Sequence, residues 1–140
     1  MFSPWLLWKW AVFFYETSLT FEVIITLFFW GVLFDPDDPE NDIWDYLDHS
    51  IPIVMLVIDY CMNKIPINPR HLAPSMVIMV SYGIVNISYT LGTGTPVYPP
   101  LNFKDVLSFV WLVVLVLLEC TAYAGITWVT KWKIKKVKER

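Results

Sequence analysis

Residues Leu47–Tyr60 read LDHSIPIVMLVIDY, with a histidine near one end and an aspartate near the other of a run that is otherwise mostly large and apolar. A soluble core helix seldom carries an unpaired aspartate in such a run. A lipid-embedded helix carries one where its charge or proton has a use or a partner. The solvent around this stretch therefore decides the fold.

Composition identifies that solvent as lipid. Of the 140 residues 56% are hydrophobic and 16% charged, the mean hydropathy is +0.53, and there are eight tryptophans. A soluble domain of this size carries about 25% charge. The apolar residues also form long runs rather than amphipathic stripes, the pattern of a chain whose outer surface faces lipid. The expected fold is all-α, a polytopic transmembrane helical bundle of about four spans in a single domain, 1–140.

About twenty apolar residues cross a bilayer as a helix. Candidate spans are 17–34, 49–67, 72–91 and 106–130, followed by a basic tail at 131–140. Helical composition continues upstream of the first span through SPWLLWKWAVFFYE, where Trp5, Trp8 and Trp10 surround Lys9 in the manner of an interfacial belt. The second span is the least regular, with Pro52 near its start and Pro66 near its end. No short hydrophobic stretch ending in a small-residue cleavage site opens the chain, so the first span is expected to remain as an anchor. Cys61 and Cys120 both lie in apolar runs and read as small buried hydrophobes, with no disulfide framework or thiolate metal site.

Loop charges give an orientation. DPDDPENDIWDYLD, from Asp35 to Asp48, holds seven acidic residues and no basic one; Lys64 and Arg70 lie between the second and third spans. After the last span come Lys131, Lys133, Lys135, Lys136, Lys138 and Arg140. Lysine and arginine stay on the cytoplasmic or equivalent side, which places both termini and the Lys64–Arg70 loop there. The acidic loop and LGTGTPVYPPLNFKD then share the opposite face. The tail reads as the stop signal of a last helix, with anionic headgroups as its further option.

Polar residues within the spans are the candidates for function. Glu22, Asp59 and Glu119 each lie in an apolar run with no lysine or arginine in the spans to neutralise them. Such groups should face the bundle interior, be protonated, or bond neighbouring hydroxyls such as Thr26, Tyr60 or Thr121. All three count into the inner half of the membrane, either as interhelical glue or as a proton or cation site. No spacing dictates metal geometry, and glue is the simpler reading. His49 lies instead at the outer start of the second span, about 15 Å along the helix from Asp59, so the two are not a catalytic pair. A lone histidine there is more often a cap or interface residue than a catalyst. His71, on the opposite face, reads as interfacial. Asn86-Ile87-Ser88 matches a glycosylation pattern inside a span, where no transferase reaches. No phosphate loop, nucleophile elbow or zinc-type pair occurs, and no cofactor or metal is implied. The only basic cluster is the membrane-proximal tail, which excludes nucleic acid and leaves membrane lipids and neighbouring membrane subunits as partners.

His49 with acidic Asp59 ten residues on, a short loop, another span, and then Thr93-Gly94 with Val97-Tyr98-Pro99 and Leu101 resemble the androgen-induced gene one and rolling stone family of multi-pass membrane proteins. The resemblance covers about 14–130. It implies a lipid-handling fold of six spans, of which this chain matches the last four. Some members hydrolyse fatty-acid esters of hydroxy fatty acids with a threonine nucleophile and a histidine base, and His49 matches that histidine. The threonine belongs to a helix two before the histidine, upstream of the four spans matched here. Thr20, in Leu19-Thr20-Phe21, mimics its local sequence, yet it lies at the inner end of the first span, roughly a 30 Å bilayer core from His49. A base must come within about 2.6 to 3.2 Å of its proton donor. Ser50, Thr90, Thr93 and Thr95 lie on the face of His49, and nothing singles one out.

Two function classes follow. One is a lipid-binding member of this family, its pocket between His49 and the loop carrying Thr93, Gly94, Val97, Tyr98 and Pro99, with hydrolysis left without its nucleophile helix. The other is a non-catalytic accessory subunit of a larger, organellar membrane complex. A deep apolar cleft ending at His49 separates the first from the second.

Overall fold

The computed structural model describes residues 3–37 and 42–138, with backbone alone for 137 and 138. Asp38 and Glu40 of the acidic loop, Arg140, and the side chain of Lys138 lie outside the described residues.

Helix α1 spans Pro4–Phe28 and opens with Pro4 in its first turn, where the missing N–H would have had no intrahelical partner. It continues without a break into a π-helical turn, Phe29–Leu33, closed by the Phe34 N–H donating to the Phe29 carbonyl at 2.8 Å. The two together give 30 residues, Pro4–Leu33, about 45 Å of rise.

Acidic residues build the next element. Helix α2, Ile43–Asp48, has a reciprocal cap: Asp42 accepts from the Trp44 and Asp45 N–H groups at 2.7 and 3.1 Å, and the Asp45 carboxylate accepts from the Asp42 N–H at 3.0 Å. Carboxylates suit the positive end of a helix.

The second hydrophobic run does not make the span expected over 49–67. Helix α3, Ile51–Met62, has 12 residues, about 18 Å, and buries none of them. Pro52 sits in its first turn, Asn63 turns extended, and Pro66 keeps the chain from resuming a helix. A 3-10 turn, Pro69–His71, then leads into α4, Leu72–Thr93. Gly94 terminates α4 in the left-handed conformation, φ 75°, which a residue without Cβ adopts freely, and its N–H donates to the Thr90 carbonyl. A second 3-10 turn, Pro99–Leu101, precedes α5, Val106–Lys138. The Ser108 N–H donates to Asp105 at 3.0 Å, and that bond, with Asn102 beside it, holds the Asp105 carboxyl below the usual carboxylate range.

The result is all-α, with no strand among the described residues, and the chain has the make-up of an integral membrane protein. Three helical segments are long and apolar enough to cross a membrane: Pro4–Leu33, Pro69–Thr93 and Val106–Lys136. Helices α1 and α5 run antiparallel, since Glu16 meets Tyr123 at one end while Phe28 packs edge-on to Trp111 at 5.7 Å towards the other. Helix α3 lies along α1, its start over Phe29 and its end beside Tyr15. At that end the Tyr60 hydroxyl pairs with Thr130 at 2.7 Å, and the Lys133 ammonium donates to the Tyr60 carbonyl, a cation at a helix C-terminus.

Candidate functional site

The two ends of the bundle are chemically opposite. At the Glu16 end a buried polar junction joins α1, α4 and α5. Glu16 accepts from the Tyr123 hydroxyl at 2.8 Å and the Asn68 N–H at 3.1 Å, and pairs with His71 Nδ1 at 2.8 Å. Tyr123 also approaches the Asn68 carbonyl at 2.9 Å. One turn along, Glu119 Oε1 accepts from Ser75 at 2.6 Å and from Thr20 at 3.4 Å, while its Oε2 has no partner among the described residues. The spacing of Glu16 with Thr20, and of Glu119 with Tyr123, places each pair on one helical face. Each pair therefore faces the same three-helix junction.

Towards the Tyr98 end the three helices part. A cavity of about 620 Å³ is lined by Phe21, Ile24 and Phe28 of α1, Met79, Gly83 and Asn86 of α4, Leu112, Leu115 and Val116 of α5, and Tyr98 and Leu101 from the connecting loop. A volume between 300 and 1,000 Å³ is the usual range of small-molecule sites. Exposed residues Ile25, Ile78, Val80, Tyr82 and Ile84 also line it, so it opens sideways onto the lipid-facing surface. A Cβ on Gly83 would meet no atom within 4 Å. The loop is held by the Tyr98 and Tyr82 hydroxyls, 3.0 Å apart, and burial of its ring with that hydrogen bond pushes the Tyr98 phenol up to about 12.

One polar group breaks the apolar lining. Asn86 is 4% exposed; its Oδ1 accepts from the Thr90 hydroxyl at 3.4 Å, and its buried Nδ2 has no partner among the described residues. An unsatisfied buried donor costs about 1–3 kcal/mol.

The expected site residues fall into separate places. Of the loop group, Tyr98 lines the cavity, whereas Thr93, Gly94, Val97 and Pro99 do not. Thr93 and Gly94 instead close α4: the Thr93 hydroxyl donates to the Tyr89 carbonyl and accepts from the Thr95 N–H. His49 is not at the cavity either. Its ring stacks on Phe29 at 3.7 Å, its carbonyl accepts from Thr26, and its Nδ1 is buried with no partner among the described residues. Phe28 and Phe29, adjacent in sequence, face the cavity and His49 respectively, so α1 stands between the two. The pocket expected between the loop and His49 lies instead between the loop and α1, α4 and α5, with His49 on the other side of α1. No hydroxyl bonds the His49 ring among the described residues; Thr90 bonds Asn86, and Thr20 lies at the junction with Glu119.

The three carboxylates diverge as well. Glu119 is fully buried at the junction, as helix glue should be. Glu22 is half-buried on the α1 face of Thr26 and Phe29, within electrostatic reach of His49. Asp59, expected to point into the bundle, is exposed and accepts from Asn63 at 2.9 Å, and Asn63 also donates to Tyr15 at 2.7 Å. It occupies the last turn of a helix that buries no residue, so no interior lies beside it. Glu16 and His71 are the site residues missed from sequence. Glu16 fell one residue outside the first span, and its signal was the four-residue step to Thr20.

No protein-family model, curated protein or solved structure matches this chain.

Proposed function

We propose that this integral membrane protein binds lipid, taking an apolar chain from the bilayer into the cavity between α1, α4 and α5. The observation that carries this is the cavity itself: about 620 Å³, almost wholly apolar in lining, and flanked by residues exposed on the lipid-facing surface. A void of that size lined by aliphatic and aromatic groups loses dispersion contacts when empty and regains them with a hydrocarbon occupant. Resemblance to the androgen-induced gene one and rolling stone family supports a fatty-acyl ligand, with His49 as the residue matched to that family's base. Ester hydrolysis is not part of the proposal, because α1 separates His49 from the cavity and no hydroxyl among the described residues bonds its ring. Positive charge at Lys64, Arg70 and the tail, with α3 carrying the chain back along α1 from Phe29 to Tyr15, supports an orientation with both termini on the cytoplasmic or equivalent side.

Saturable binding of a fluorescent stearate probe to the purified chain tests this. One site per chain is expected, abolished by Gly83→Phe, whose ring would occupy the space above Gly83. Non-saturable partition, unchanged by Gly83→Phe, would overturn lipid binding. A second reading, an accessory subunit of a larger membrane complex, draws on α3, whose apolar residues Val54, Met55, Val57 and Ile58 are all exposed. Mild-detergent extraction distinguishes it: co-purification of a stoichiometric subunit, lost on placing charge at Met55, supports that alternative.

A further inference from the structure

We propose that the chain holds one anionic phospholipid by its phosphate in a groove at the Glu16 end, between the start of α4 and the far part of α5, independently of the chamber. Helix α5 overshoots α4 there. Ser75 meets Glu119 and the Asn68 carbonyl meets Tyr123, so α4 begins at that level while α5 runs on to Lys138. The step between them is a groove of about 330 Å³, with Pro69 and Leu72 on one side and Ala124, Trp128 and Lys131 on the other. Pro69, Ala124, Trp128 and Lys131 are all exposed, so a ligand reaches the groove directly from the membrane.

Charge and level together name the occupant. No carboxylate lines the groove, and Lys131 bonds no group among the described residues. Lys133 and Lys136 are engaged elsewhere, by the Tyr60 carbonyl and the Trp132 ring. Arg70, also exposed, follows Pro69 on the facing turn, so cationic residues from two elements flank the groove. The level is interfacial. In the antiparallel pair that joins Glu16 to Tyr123, Lys131 lies eight residues beyond Tyr123 and Trp8 eight before Glu16, each about 12 Å from the junction. Exposed Trp5, Trp8 and Trp10 of α1 and Trp128 and Trp132 of α5 therefore form one belt at headgroup depth. A phosphate at Lys131 sets the glycerol and acyl chains of its lipid along Leu72 and Ala124. A zwitterionic headgroup brings its own cation towards Lys131 and Arg70, so the groove favours a lipid of net negative charge.

Native mass spectrometry of the full chain, released from detergent with phosphatidylglycerol and phosphatidylcholine in competition, tests this. One phosphatidylglycerol per chain is expected to be retained in preference. Lys131→Gln should lower its affinity about fivefold, the equivalent of about 1 kcal/mol for one cation at the membrane surface. Lys136→Gln makes the same change of net charge and should have little effect. Ala124→Phe fills the groove without altering charge and should abolish the preference. Melting curves confirm that each variant is folded. Absence of any preference in the unaltered chain would overturn the site. Equal losses from Lys131→Gln and Lys136→Gln would do so as well, as the mark of a basic tail that attracts anionic lipid without holding it, and so would retention unchanged by Ala124→Phe. Displacement of the lipid by soluble glycerol phosphate would assign the groove to free phosphate, and a dimer lost in Ala124→Phe would assign it to a second copy of the chain; either result overturns the phospholipid.

Discussion

Glu16 and Asn86 are both buried polar residues at contacts among the same helices, and they differ in how they are satisfied. Glu16 receives Tyr123 from α5 and Asn68 and His71 from the turn before α4, whereas Asn86 leaves its buried donor unpaired among the described residues. In a membrane the helices gain nothing from burying hydrocarbon against hydrocarbon, so polar bonds and close packing hold them together. Where those bonds concentrate, α1, α4 and α5 meet. Where they thin out, the helices separate into a cavity. The Glu16 end is a clamp and the Tyr98 end a chamber.

Breaking the clamp should have the largest effect. Glu16→Leu removes the acceptor of the Asn68 N–H and the partner of His71 Nδ1 and leaves the Tyr123 hydroxyl only the Asn68 carbonyl, and should cost about 3–5 kcal/mol, read as a large fall in melting temperature in detergent. Glu16→Gln keeps an acceptor and should be milder. Equal losses from both would mean that the junction does not depend on those bonds.

Ser75→Ala should cost about 1–2 kcal/mol, because Glu119 Oε1 then retains only the long bond from Thr20. A double-mutant cycle with Glu119→Gln sharpens this, with coupling expected between the two positions and its absence assigning the loss to packing.

At the chamber the sign should reverse. Asn86→Leu removes an unpaired donor and adds apolar volume, so the lipid-free chain should gain about 1 kcal/mol, with Thr90 free to bond a backbone carbonyl one turn back. Destabilisation comparable with Ser75→Ala would show that Asn86 is also clamp.

The smallest effect lies in the loop. Tyr98 has its phenol pushed up to about 12, above the ordinary value of 10.0, so the stability it contributes is complete below pH 10 and lost as pH rises towards 12. Spectrophotometric titration should show a late tyrosine that disappears in Tyr98→Phe. An unchanged titration would place the Tyr98 ring in water.

Which parts of this contrast were legible from sequence follows from how local each signal is. The lipid-facing class and the spans beginning at Leu72 and Val106 depend on run length and neighbours, and they could be read directly. The second span could not: its apolar run is long enough to 67, but Asn63 and Pro66 end the helix at Met62. For Glu119 the need for neighbouring hydroxyls was legible, because a carboxylate in an apolar run needs a partner, and Ser75 and Thr20 supply them. Asp59 obeyed the same rule with a different solution, bonding Asn63 at an exposed helix end. The cavity was illegible, since Phe28 and Phe29 look alike in sequence and only the packing of α1 assigns one to the chamber and the other to His49. Tyr98 was singled out as a pocket residue, but its partner proved to be α4.

Photocrosslinking with a diazirine-bearing fatty acid tests the chamber most directly. With the purified chain in bilayers, labelling should concentrate on peptides carrying Phe28, Met79 and Leu115, fall several-fold in Gly83→Phe, and spare α3 relative to them. Labelling spread evenly over all lipid-facing surfaces, α3 included, and indifferent to Gly83→Phe would contradict a lipid chamber between α1, α4 and α5.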